Sequence, residues 1–170
     1  MAPTGAPIGY LMNPQAIGEA GEYSGEVQAA AQAIGQRLII VNASSQHDMA
    51  AAFDALVEQH AGALIVATDP YLFGRRNQII ALAARHGLPT IYDRREFAAV
   101  GGLITYGTHL ADAYRQIGVY AGRILKGERP ADLPVVQPTK FDMVINLGIA
   151  KVLRLHVSDK LLALADEVIE

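Results

Sequence analysis

The amino-acid sequence predicts an α/β domain built on a doubly wound, mainly parallel sheet with helices on both faces. Three observations predict it. Short apolar runs alternate with longer stretches of helical period. The connections between them are short, as right-handed crossovers in such a sheet allow. One run, "ALIVAT" from Ala63 to Thr68, is unbroken in its apolar character, the pattern of a strand buried on both faces. At 170 residues, with 51% apolar and 18% charged content, the chain is the size of one domain and can bury a core.

The elements follow in order. Ile8 to Met12 reads as a strand that ends at Asn13-Pro14. "YSGEVQAAAQAIG" is Ala-rich and helical, and Gly35 is its natural stop. "RLIIVNA" is a second strand. In "SSQHDMAAAFDALVEQHAG" the spacing of Ser45 and Asp48 is that of a capping box, and Gly62 is expected to close the helix. "ALIVAT" is the third strand, "RRNQIIALAARHG" a further helix ended by Gly, and "PTIY" a short fourth strand. "REFAAVGGLITYG" reads as a short helix, a Gly pair and a short strand. "LADAYRQIGVYAGRIL" then sets Leu110, Ala113, Tyr114, Ile117, Ala121, Ile124 and Leu125 on one helical face. "KGERPADLPVVQP" has the composition of an extended connector. "KFDMVINL" is expected as the final strand, and Ser158 as the cap of a last helix running through Ala165.

Composition excludes several function classes. A net charge of −3 and no run of Lys or Arg give no electrostatic footprint for nucleic acid. The absence of Cys removes disulfides, thiolate nucleophiles and Cys-based zinc sites. No apolar stretch approaches the ~18 residues of a membrane span, so a membrane-inserted protein is not expected. His47, His60, His86, His109 and His156 show no pair at a ligand spacing, so no metal site is expected. There is no G-x-S-x-G, and Ser44 and Ser45 are better read as turn and cap residues. Gly18, Gly21 and Gly25 follow the first strand, but their spacing is not that of a dinucleotide loop. Glu19, Glu22 and Glu26 crowd the same helix start and would repel a pyrophosphate. No cofactor is therefore expected.

The richest stretch is "VATDPYLFGRR", Val66 to Arg76. Read structurally, Asp69 starts a turn that Pro70 shapes, Tyr71 and Phe73 pack on neighbouring loops, and Arg75 and Arg76 are solvated helix residues. Read functionally, Asn13, Ser44 and Asp69 each follow the carboxyl end of a strand, the edge where ligands bind in open α/β sheets. An acid there can hold an ammonium, and a Tyr can offer a stacking face with a polar tip. No second carboxylate or base stands at a spacing that pairs it with Asp69, so binding is expected and catalysis is not.

Three segments then carry a wider resemblance. "ALIVATDPYLFGRRNQIIALAARHGLPTIYDRREFAAVGGLITYG", "YAGRILKGERPADLPVVQPTKFDMVINL" and "LLALADEVIE" resemble the substrate-binding proteins of a bacterial ABC transporter family with the type I periplasmic-binding-protein fold. The resemblance implies a periplasmic-binding-protein-like lobe of the Rossmann- or flavodoxin-like, three-layer αβα kind. It implies a non-enzymatic solute-binding module of an ABC-type import system, with a small amino-acid-like or aromatic ligand, an ABC permease as partner and a periplasmic place of work. Family members with assigned ligands are associated with tryptophan and tyrosine. The family pattern carries over Asn13, Asp69, Tyr71 and Tyr106 as cleft residues. On physical grounds Asp69 would hold a ligand amine, Tyr71 and Tyr106 would stack or gate, and Asn13 would donate to a carboxylate.

By the same resemblance the chain corresponds to the C-terminal half of a full member. Residues 1–92 with 138–170 would form the second lobe, and residues 93–137 would cross the hinge and contribute an amphipathic helix to the first. That helix is expected to be covered by a second copy, giving a homodimer through residues 110–125. "MAPTGAPIGYLMNPQ" has no basic region followed by a long apolar segment, so the chain expressed as written is expected to stay in the cytoplasm. The rival reading is a cytoplasmic oligomeric interaction or regulatory domain without ligand transport.

Overall fold

A computed structural model describes residues 5–16 and 20–170. Gly18 and Glu19 of the stretch weighed against nucleotide binding lie outside the described residues.

The elements are β1 (Ile8–Met12), α1 (Ala20–Ala33), β2 (Leu38–Asn42), α2 (Gln46–Glu58), β3 (Ala63–Val66), α3 (Pro70–Gly74), α4 (Arg76–Arg85), β4 (Thr90–Tyr92) and α5 (Arg95–Ala99). They continue as β5 (Ile104–Thr108), α6 (Leu110–Leu125), β6 (Phe141–Asn146), α7 (Leu147–Val152), α8 (Asp159–Leu162) and β7 (Glu167–Ile169). The described strands form one sheet in the order β2-β1-β3-β4-β5-β6-β7. Every pairing is parallel except β5 with β6. The order reverses between β1 and β3, as a doubly wound sheet requires.

The larger core lies around β1, β2 and β3, where Leu11, Val41 and Leu64 meet Met49, Phe53 and Leu56 of α2 and Ile79 of α4. Gly9 lets α2 approach the middle of the sheet, because a Cβ there would sit 2.4 Å from a Leu56 methyl. A smaller core gathers Leu103, Ile104, Ile145, Ala150 and Val157 around β5 and β6. Gly35 and Gly87 end their helices at φ of 66° and 63°, the left-handed conformation that glycine adopts freely.

The chain departs from the expected element bounds at several points. Helix α2 stops at Glu58, and His60, with φ 57°, makes the left-handed turn. Gly62 instead donates its N–H to the Pro7 carbonyl at 2.8 Å, starting β3 beside β1. "KFDMVINL" is neither the last strand nor strand throughout: the Asn146 side chain accepts from Ile149 N at 3.0 Å and starts α7. Ser158 caps α8, which stops at Leu162 short of Ala165 because the chain turns into β7 beside β6.

Residues 93–108, read from the sequence as the start of a hinge crossing, run through α5 and β5, and β5 is hydrogen-bonded between β4 and β6. The chain leaves the sheet after His109 and returns at Lys140, where His109 N donates to the Lys140 carbonyl at 3.0 Å. Between these points α6 has no buried residue. Tyr114, Ile117 and Leu125 of its apolar face are exposed. No helix among the described residues is long and apolar enough to cross a membrane.

Candidate functional site

Parallel pairing brings the carboxyl ends of β1 to β5 to one edge, and antiparallel β6 begins there. Asn13, Ser44, Asp69 and Asp93 all follow strands at this edge. The structure gives them different surroundings.

Asp69 is the N-cap of α3. Its carboxylate accepts from Leu72 N at 2.9 Å, and Pro70 takes the first helical position, where a missing N–H costs nothing. The Asn13 amide donates to both oxygens of the same carboxylate at 3.4 and 3.3 Å. Asn13 and Asp69 are 9% and 6% exposed, so the pair fastens the end of β1 to the end of β3 with little surface left for a ligand. Ser44 likewise has a local partner: its hydroxyl and N–H donate to Asp48 at 3.0 and 3.2 Å. Bonds from Ser45 and Ser44 hold the Asp48 carboxyl below its ordinary range.

Tyr71 packs against the larger core, and its hydroxyl is buried without a hydrogen-bond partner among the described residues. The Arg75 guanidinium lies 5.6 Å from its ring centroid. Phe73 carries two such neighbours, Arg76 at 5.0 Å and Arg94 at 4.7 Å. Arg75 and Arg76 thus lie over aromatic rings and are not simply solvated.

Tyr106 stands apart from this group. It stacks on Phe141 across β5 and β6, with ring centroids 5.6 Å apart and planes at 15°. Tyr106 and Phe141 are 50% and 47% exposed. Both line a cleft of about 590 Å³, bounded on one side by Thr68 and residues 93–96 and on the other by residues 107–111 and Asp142. Such a volume is that of a small-molecule site.

Asp93 sits in the wall of this cleft. Burial raises its carboxyl above the ordinary range, and a Thr68 hydrogen bond and the Arg94 charge only partly oppose that rise. Its backbone is fixed by close approach: a Cβ on Gly107 would lie 1.7 Å from the Asp93 carbonyl oxygen, so only glycine fits beneath the β4–α5 turn. At the far side His109 Nδ1 lies 2.7 and 2.9 Å from the Asp142 carboxylate oxygens, tying the start of α6 to β6. A second hollow of about 420 Å³ continues between α6 and residues 136–140, where the Tyr120 hydroxyl donates to the Pro134 carbonyl at 2.7 Å. Among the described residues no group of His, Asp and Glu is arranged to hold a metal.

The edge of the sheet therefore holds two clusters. Asn13 and Asp69 meet each other, Tyr71 packs beside the core, and only Tyr106 of the four expected residues lines the large cleft. Asp93 carries the same signal in sequence as Asp69, an acid just after a strand, whereas Phe141 and Asp142 reach the cleft only because β6 runs antiparallel to β5.

Residues 1–169 match the family model described as ABC transporter substrate binding protein. Among solved structures, a conserved domain protein from Vibrio cholerae is similar with a TM-score of 0.86 at 22% identity, over 95% of this chain and 54% of that one. An ABC domain in complex with L-Trp from Streptococcus pneumoniae is similar with a TM-score of 0.85 at 22% identity, over 96% and 56%. A ligand-free, open substrate binding protein with adhesive properties from Clostridium difficile gives 0.73 at 20% identity, over 99% and 56%. The chain spans just over half the length of each of these structures, and at this identity the likeness shows the fold. No curated protein sequence matches the chain significantly.

Proposed function

This chain belongs to the ABC transporter substrate binding protein family, and from that premise we propose that it is a solute-binding module of an ABC-type import system, without catalytic activity. It takes a small amino-acid-like or aromatic ligand into the cleft walled by Asp93, Tyr106 and Phe141. The observation that carries this reading is the stacked, half-exposed Tyr106–Phe141 pair at the lip of a cleft of about 590 Å³. Exposed aromatic faces beside a half-buried carboxylate suit a flat ligand with a polar end, and closure of a second wall over them would complete its burial. The L-Trp complex of a similar structure supports an aromatic amino acid as the first probe. In this reading the sheet is one lobe of a two-lobed binder, the excursion between His109 and Lys140 leads to the other lobe, an ABC permease receives the solute, and the work is periplasmic.

Isothermal titration calorimetry with a panel of amino acids tests it. An aromatic amino acid should bind, and Phe141→Ala should weaken it about tenfold through the lost stacking face. A panel in which nothing binds, or a Phe141→Ala variant that binds as the parent does, would overturn the reading.

The exposed apolar face of α6 favours a second statement, that two copies pair through residues 110–125. This homodimer is compatible with ligand binding and is equally the form an interaction domain without a ligand would take. Light scattering that finds a monomer at high concentration would remove it.

A further inference from the structure

Arg75, Arg76 and Arg94 are gathered by two aromatic rings of α3, and solute binding gives this gathering no role. The Arg76 and Arg94 guanidiniums both lie over Phe73, at 5.0 and 4.7 Å from its ring centroid, and Arg75 lies over Tyr71 at 5.6 Å. Both rings pack against the larger core, so the platform beneath the charges is anchored. Arg76 is held further by donating one N–H to the Phe73 carbonyl at 3.3 Å. Stacking engages a guanidinium by its face and leaves N–H groups at its edge to meet an acceptor.

The layer is under-neutralised. Among the described residues Arg75 and Arg76 take part in no ion pair, and Arg94 reaches only Asp93, through Nε at 3.4 Å. Asp69, the acid that opens α3, is already bonded to Leu72 N and the Asn13 amide. Arg95 shows the contrast, since it forms a two-pronged pair with Glu167 at 2.8 and 2.7 Å. The chain as a whole carries a net charge of −3, so the positive excess is local. A guanidinium gives up water more readily than an ammonium, and its fork meets a carboxylate in two parallel bonds. A polyphosphate chain calls for a longer basic track, and a membrane for apolar side chains free to insert, whereas Tyr71 and Phe73 lie beneath the arginines.

We propose that Arg75, Arg76 and Arg94, laid on Tyr71 and Phe73, form a docking surface for an acidic segment of a partner protein. Arg94 also lines the large cleft, so a partner seated here borders its rim. The surface stands whether or not the cleft takes a solute.

Fluorescence anisotropy of a labelled hexaglutamate peptide, titrated with the chain at low ionic strength, tests this. The peptide should bind, and Arg75→Gln with Arg76→Gln should weaken it about tenfold or more through the lost charge-assisted bonds. Arg75→Lys with Arg76→Lys keeps the charge but loses the fork, and its affinity should fall between the two. Arg85→Gln with Lys151→Gln removes two exposed cations, at the far end of α4 and in α7, and should bind as the parent does. Far-UV circular dichroism checks that each variant folds. No binding of hexaglutamate, a Gln or Lys pair at positions 75 and 76 that binds as the parent does, or an equal loss in the Arg85 and Lys151 variant would overturn the proposal. Tighter binding of a thymidine hexanucleotide or of phosphatidylserine vesicles than of hexaglutamate would overturn it too, by assigning the surface to a polyphosphate or a membrane.

Discussion

Asp69 and Asp93 follow neighbouring strands at one edge of the sheet, and their partners set their roles apart. Asp69 caps α3 and receives the Asn13 amide. Asp69→Ala removes the cap and leaves the Asn13 amide N–H without its acceptor, so urea denaturation should show a loss of about 1–3 kcal/mol. Asp93 behaves oppositely. Burial raises its folded-state pKa above the unfolded value, so the folded chain binds more protons between the two. The stability this contributes is present below the unfolded pKa and lost as pH rises through the folded one. Asp93→Asn should therefore melt higher than the parent at about pH 7, with the difference vanishing toward about pH 3, where Asp93 of the parent would be protonated folded and unfolded alike. "DPYLF" drew attention in the sequence because an acid, a Pro and two aromatics stand together, yet Asp followed by Pro is also how a helix begins. Local sequence supports both readings of Asp69, and only its bonds to Leu72 and Asn13 separate them.

At the scale of elements, periodicity made the long pieces legible. Helices α2, α4 and α6 and strands β1 to β3 are long enough to show their period, and each of these helices has a cap or a glycine near its end. β7 is a three-residue strand after a short turn, and α7 follows β6 without a linker, so neither shows a period of its own. The apolar stripe of α6 was legible, whereas its lack of cover depends on what lies beyond the sheet. Ile117→Arg with Leu125→Arg should leave folding stability within about 0.5 kcal/mol, because both side chains are exposed. The same pair should turn the proposed dimer into a monomer in light scattering. Phe53→Ala in the buried face of α2 should cost about 3–5 kcal/mol by denaturant titration. Gly107→Ala bears on the site itself: its Cβ would meet the Asp93 carbonyl, so the β4–α5 turn must move and ligand affinity should fall with it.

For the whole molecule, alternation of strand and helix predicted the mainly parallel sheet, and the family match and structural likenesses agree with that fold. The position of the cleft along the edge was not legible. A reading by strand order points to the switch point between β1 and β3, where Asn13 and Asp69 bind each other. The cleft instead opens further along, where antiparallel β6 brings Phe141 beside Tyr106, a juxtaposition that no local pattern encodes. The central claim is that this cleft receives the solute, and an amide-resolved NMR titration of the chain with L-tryptophan tests it most directly. The account predicts shifts concentrated at Asp93, Gly107, Thr108, His109 and Asp142. Shifts confined to Asn13–Gln15 and Asp69–Leu72, or none at saturating ligand, would contradict it.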